Sequence, residues 1–253
     1  MPEAPKTLEG WYCLHDFRRI DWPRWKALVP ERRQEIVAEA RAFLEAAEAA
    51  RDADEGASAL YRVVGHKADL MWLHLRPRPE DLAAIEGAFA RTALADFTTR
   101  PDSFVSVTEL SFHEAQARGG ALPDDPFQVP FIRARLKPQI PDVPYVTFYP
   151  MNKRRGEHQN WFLEPPEERA RMMRSHGSIG HKYHGIVQQM ITGAVGLDDW
   201  EWGVTLFAQD ALQFKKLVYE MRFDEVSARF AEFGPFWLGI RVKPPQLEAL
   251  LRV

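Results

Sequence analysis

The sequence predicts an α+β protein: two ferredoxin-like halves that form a dimeric α+β barrel-type fold from antiparallel sheets. Three observations lead there. Residues 1–118 read in the element order βαββαβ, and residues 145–253 repeat that order. Between them, residues 119–144 carry Pro123, Pro126, Pro130, Pro138 and Pro141 and make a connection longer than usual, expected to be a linker that also reaches the site. No sequence identity links the halves, so the repetition rests on element order alone.

Residues 9–20 alternate as a strand, with Trp11, Cys13 and His15 on one side and Tyr12, Leu14 and Asp16 on the other. Pro30 suits a first helical turn, and Ile36, Val37, Ala40, Phe43, Leu44 and Ala47 recur at helical spacing toward Arg51. Strand-like runs follow at 59–65 and 69–76, the second stopped by RPRP. Pro79 opens a helix through Leu94 with Leu82, Ile85 and Phe89 on its apolar face, and 104–110 is the fourth strand. In the second half, 145–150 is a strand, 165–176 a Glu- and Arg-rich helix, and 186–192 and 201–208 are strands. Asp210 caps a helix whose Leu212, Phe214, Leu217, Val218 and Met221 mark the buried face, before a last strand at 236–242.

Composition narrows the function classes. With 45% hydrophobic residues the chain can bury a substantial core, and no apolar run approaches the length of a membrane span. The start MPEAPKTLEG has neither a basic nor an apolar signal region, so cytoplasmic residence is expected. A single Cys13 excludes intramolecular disulfides and multi-cysteine metal sites. Lys and Arg are dispersed among Asp and Glu at a net charge of −3, which gives no basic stripe for nucleic acid. Neither HExxH nor GxSxG occurs, and no Gly run has phosphate-loop spacing. Trp200 and Trp202 in DDWEWG read as structural, on one sheet face or at a subunit interface.

A few residues stand out as chemistry. His176 lies near the expected end of the 165–176 helix, directly before Gly177, where the chain can leave the helix. It is either a metal-binding imidazole or a cation beside the helix dipole, and His181 and His184 compete for the first role. Tyr149 closes a strand in YPMNKRR, ahead of Lys153. Gln188 and Gln189 take opposite faces of their strand. Arg133 and Arg135 alternate as on a charged strand, and Arg222 has Asp224 or Glu225 as an alternative partner.

Taken in order, Tyr149 with Lys153, His176 before a Gly, Gln189 before Ile-Thr-Gly, the run Leu197 to Gly203, and residues 218–239 resemble the coprohaem decarboxylase branch of the chlorite-dismutase-like superfamily. The close match covers roughly the C-terminal 110 residues. It implies that iron coproporphyrin III is substrate and cofactor at once, and that hydrogen peroxide drives removal of two propionate carboxyls to give haem b. In that family the residue matching His176 is the proximal iron ligand. The tyrosine matching Tyr149 becomes a radical beside a propionate, with the lysine matching Lys153 at the same edge. Arg135, Arg222 and Ser227 match propionate-contacting positions, Met151 lines the pocket, and Gln189 stands where chlorite-degrading enzymes carry a distal arginine. His181 departs from the Gly-Arg-x-Tyr of many relatives, leaving Lys182 as a substitute donor. The resemblance further implies a homopentamer, a haem site in the C-terminal half, and transient contact with a ferrochelatase. Its alternatives are a haem carrier or sensor without catalysis and a weak haem peroxidase or chlorite dismutase.

Overall fold

The computed structural model describes residues 4–119 and 122–253; Gly120 and Ala121, inside the expected connection, and residues 1–3 lie outside the described residues. The N-terminal half consists of β1 (Thr7–Ile20), α1 (Trp22–Lys26), α2 (Pro30–Glu48), β2 (Ala57–Val64), β3 (Leu70–Arg76), α3 (Pro79–Ala90) and β4 (Thr98–Ser111). Two short helices, α4 (Phe112–Gly119) and α5 (Pro130–Leu136), occupy the connection. Next come β5 (Tyr145–Lys153), α6 (Pro166–Lys182), β6 (Val187–Gly193), β7 (Trp202–Ala208) and α7 (Leu212–Met221). The chain finishes with α8 (Glu225–Phe230), β8 (Ala231–Phe233), β9 (Trp237–Val242) and α9 (Leu247–Leu251).

Each half shows the same strand order. In the first it is β4-β1-β3-β2, and in the second β9-β5-β7-β6, so corresponding strands occupy corresponding places. The halves join where β2 pairs with β9, from Leu60↔Val242 to Val64↔Leu238, and where β4 pairs with β6 at Val107↔Gly193 and Thr108↔Thr192. Pairing of β5 with β7 completes an antiparallel ring, and β8 extends the far end of β5.

Strand alternation decides what fills the ring. Trp11, Cys13 and Phe17 of β1 meet Tyr61, Leu73, Phe104, Phe148, Phe207 and Trp237 in one buried cluster to which all eight ring strands contribute. The lumen is therefore a packed core, as expected of a small barrel. Burying a Leu or Phe in such a core stabilises the fold by about 1.5–3 kcal/mol. Polar groups are enclosed there too: His15 Nε2 lies 2.9 Å from Thr205 Oγ1 and its Nδ1 3.7 Å from Cys13 Sγ, and its ring stacks on Phe148 at 3.9 Å. Burial, helped by nearby His74, depresses His15 to about 3, so it stays neutral. Outside the ring, Trp25, Ile36, Leu44, Phe89 and Leu251 cover the N-terminal sheet at Leu60 and Trp72. Phe214 and Leu217 of α7 cover the C-terminal sheet at Val187, Leu206 and Ala208.

Two expectations need correction. Arg133 and Arg135 lie on α5, a helix with Pro130 in its first turn, and not on a strand. Nor does the helix carrying His176 end at Gly177. It continues to Lys182, which puts His176 in its interior.

Candidate functional site

The outer face of the C-terminal sheet is set by register. Tyr149 pairs with Val204, which pairs with Ile191; Thr147 pairs with Leu206, which pairs with Gln189. Registered partners share a face, so Gln189, Tyr149 and Met151 all point outward with Val204 and Leu206 between them. Gln188 takes the opposite face with Met190 and Phe207 of the lumen cluster. Tyr149 stands two strands across and one residue pair along from Gln189, roughly 12 Å backbone to backbone at ordinary strand spacing.

Helix α6 lies over this face. Pro166 fits its first turn, where a missing N–H costs nothing, and Glu167 and Glu168 favour the same end through the helix dipole. Buried Met172 packs with Trp161, Val226 and Phe230. At the other end Lys182 pairs with Glu220, and the Tyr183 hydroxyl donates to the same carboxylate at 3.1 Å, fastening α6 to α7. His176 is thereby held with Nδ1 2.9 Å from Asp224 Oδ2. Asp224 is itself fixed as the N-cap of α8: its Oδ1 accepts from Val226 N at 2.9 Å. Burial works to raise the Asp224 carboxyl, but hydrogen bonds from Ser227 and His176, the charge of His176 and the Val226 amide outweigh it and hold the group below its ordinary value. An ionised Asp224 keeps the proton on Nδ1 and leaves Nε2 with a free lone pair, the arrangement of a metal-ligating histidine with its outer partner.

Between α6 and β6 is a cavity of about 700 Å³. His176, Gln189 and Arg135 line it, together with Gly177, Gly180, His181 and His184 of the α6 region and Phe131 of α5. Arg135 makes no hydrogen bond or ion pair to any described residue, so its guanidinium is available to an anion. Its position comes from a tight seat: Thr108 Oγ1 donates to Leu136 O at 2.6 Å, and a Cβ on Gly10 would lie 2.0 Å from that same oxygen.

The remaining expected site residues gather beside the cavity and do not line it. Tyr149 is buried, with its ring stacked on Phe236 at 4.4 Å and tilted against Phe233 at 5.7 Å. Burial, moderated by the Arg222 charge, pushes its phenol well above the ordinary value, so it stays an O–H. Arg222 lies over the Phe233 ring at 3.7 Å. Lys153 Nζ is 4.9 Å from the Trp161 ring centre. Its own pKa is lowered to about 8 by burial, against the pull of Asp224 and Glu201. Glu201 also fixes the backbone of this strand end, accepting from Lys153 N at 2.9 Å while its own N–H donates to Asn152 Oδ1. Met151 is half-buried on the same apolar cluster, and Ser227 bonds Asp224.

A family model described as chlorite dismutase matches residues 33–242. The chain belongs to that family. Among solved structures, a novel haem-binding protein from Thermus thermophilus is 47% identical, with a TM-score of 0.91 over 99% of this chain and 98% of that one. A mutant chlorite dismutase from Candidatus Nitrospira defluvii superposes with a TM-score of 0.76 at 21% identity, covering 97% of each chain, and so shares the fold. At 13% identity, a putative chlorite dismutase, TA0507, gives a TM-score of 0.74 over 97% of this chain and all of the other.

Within this chlorite dismutase fold, sequence reasoning missed Asp224, Gly10 and Glu201. Asp224 carried one legible signal, since Asp224 followed by Glu225, Val226 and Ser227 has the pattern of a helix N-cap. Nothing local announced that a carboxylate 48 residues from His176 would meet it.

Proposed function

We propose that this chain binds iron coproporphyrin III and, with hydrogen peroxide, removes two of its four propionate carboxyls to give haem b. One observation carries the reading: Gln189, Tyr149 and Met151 share one sheet face, opposite an imidazole backed by the Asp224 carboxylate. The residues present suit the group. A cavity of about 700 Å³ is of the size that cofactor sites take, and it offers a histidine, an amide and a guanidinium without a partner among the described residues. The haem-binding protein from Thermus thermophilus, 47% identical, supports a porphyrin ligand.

When bound, the iron porphyrin supplies the one-electron chemistry that peroxide oxidation needs. His176 would hold the metal through Nε2, with its Nδ1 proton held by the Asp224 carboxylate. Gln189 would offer the bound group a neutral amide, without the cation expected of a chlorite-degrading enzyme. Arg135, Arg222 and Lys153 pair with propionates. Tyr149, kept protonated by burial, is the hydrogen-atom donor that when oxidised takes a hydrogen from the propionate β-carbon. Each carboxyl lost consumes one peroxide and one proton and yields a vinyl, carbon dioxide and two waters. Lys153, with a pKa of about 8, is suited to deliver that proton. In this reading the chain works in the cytoplasm as a homopentamer and receives its substrate from a ferrochelatase.

A second reading, a haem carrier or sensor, is favoured by Tyr149 and Lys153 lying outside the cavity lining. A mass spectrum of the porphyrin decides between them, after the protein is loaded with iron coproporphyrin III and given small additions of hydrogen peroxide. Two successive carboxyl losses ending at haem b are expected. Tight binding with unchanged mass would leave the carrier reading.

A further inference from the structure

Three imidazoles line the cavity, and the proposed function uses one of them. His181 is in the last turn of α6 and His184 just beyond it, their rings 5.7 Å apart and 19° from parallel. Both are exposed, and among the described residues no side-chain hydrogen bond or ion pair occupies either ring. Between them and His176 the helix presents a ledge without side chains. Gly177 and Gly180 also line the cavity; a Cβ on Gly177 would meet nothing within 4 Å, and one on Gly180 would touch only the ends of two flexible side chains, Met221 Cε at 3.4 Å and Gln189 Nε2 at 3.6 Å. Positions three and four apart share a helix face, so the ledge runs along one side of α6, and His176 and His181 are about 7.5 Å apart along its axis.

The partners of these imidazoles differ. His176 has the Asp224 carboxylate, which strengthens an imidazole as a metal ligand, whereas His181 and His184 have none. We propose that His181 and His184 form a reception site that first binds the iron of the incoming porphyrin and passes it along the glycine ledge to His176. This rests on the porphyrin-binding reading. The transfer is a ligand exchange: the bond from iron to a ring nitrogen of His181 or His184 breaks as the bond to His176 Nε2 forms. Iron keeps its oxidation state, and no proton is released, because all three bind as neutral imidazoles.

The test is stopped-flow uptake of ferric iron coproporphyrin III, followed at the Soret band in wild type, H181A/H184A, H181Q/H184Q, H176A and the triple variant H176A/H181A/H184A. Circular dichroism confirms that each is folded. Both double variants are expected to load about tenfold more slowly, the low end of the range over which association rates respond to substitution, and to reach the wild-type spectrum. H176A is expected to keep an imidazole-ligated spectrum that the triple variant loses. Wild-type loading rates in the double variants, or identical spectra for H176A and the triple variant, overturn the reception site alone. Failure of the wild type to take up the porphyrin overturns the binding reading and the reception site with it.

Discussion

At the scale of single residues, the Asp224 carboxylate fixes Nδ1 of His176 and so orients the imidazole on a largely exposed helix, as the proposed iron ligand requires. Replacing Asp224 by Asn keeps the shape and removes the charge that fixes the Nδ1 proton, so haem affinity should fall about 10- to 100-fold in a spectrophotometric titration. The depressed Asp224 carboxyl contributes stability that is present above its unfolded value near 3.8 and lost as pH falls through its lower folded value. Lys153 behaves differently. Its folded pKa of about 8 lies below the ordinary 10.5, so the buried ammonium opposes folding at neutral pH, and stability rises as pH climbs from about 8 to 10.5. A propionate ligand needs that ammonium, so affinity for the four-propionate porphyrin should weaken as pH rises through about 8. In K153M the weakening should be absent; a titration showing the same pH dependence in both proteins would remove Lys153 from the ligand's edge.

Elements with a clean period were legible, and those held by distant contacts were not. The helix over Ile36 to Ala47 and the strands around Tyr149 and Gln189 carry periods of 3.6 and 2, and they appear with ends shifted by a few residues. Gly177 suggested a helix end, because glycine costs about 1 kcal/mol in a helix interior. Contacts far away in the chain override that cost: Met172 packs on Val226 and Phe230, and Glu220 grips Lys182 and Tyr183. The same fact hid the ledge of the candidate site, since a side-chain-free helical face looks like a break. Helix α5 has only seven residues, about two turns and too few for a hydrophobic period to repeat clearly, and Arg135 is presented to the cavity because Leu136 seats on Gly10 and Thr108. A methyl group at Gly10 meets backbone, which cannot turn aside. Gly10→Ala should cost about 1–3 kcal/mol of stability by overpacking, measured by thermal melting. It should also lower porphyrin affinity through Arg135, and an R135A background should abolish that second effect.

For the whole molecule, the order of elements was readable and the closure of the ring was not, because barrel seams join residues far apart in sequence. The two seams between the halves are unequal. Five residue pairs join β2 to β9, but only two join β4 to β6. Side chains finish the weaker seam. Trp202 Nε1 donates to Glu109 Oε1 at 3.0 Å, Asp198 Oδ2 accepts from Val105 N at 2.8 Å, and Gly193 leaves room for Glu109, whose Oε2 would lie 2.2 Å from a Cβ there. Trp202 thus has a partner within its own chain. Burial raises the Glu109 carboxyl against the Trp202 hydrogen bond, with the Glu9 charge adding to the rise. A carboxyl with a raised folded pKa loses stability for the native state as pH rises from its ordinary 4.5 upward, and the indole N–H limits that loss. Trp202→Phe removes the donor and leaves a buried carboxylate short of a partner, at about 1–3 kcal/mol near neutral pH. Below about pH 4.5 the carboxyl is neutral and the hydrogen bond matters less, so the stability gap to wild type should narrow on acidification. Denaturant melts at pH 7 and pH 4 measure this, and hydrogen exchange should show the β4–β6 amides of the variant opening ahead of those between β2 and β9. A gap that stays constant with pH would mean that Trp202 holds the seam by packing alone.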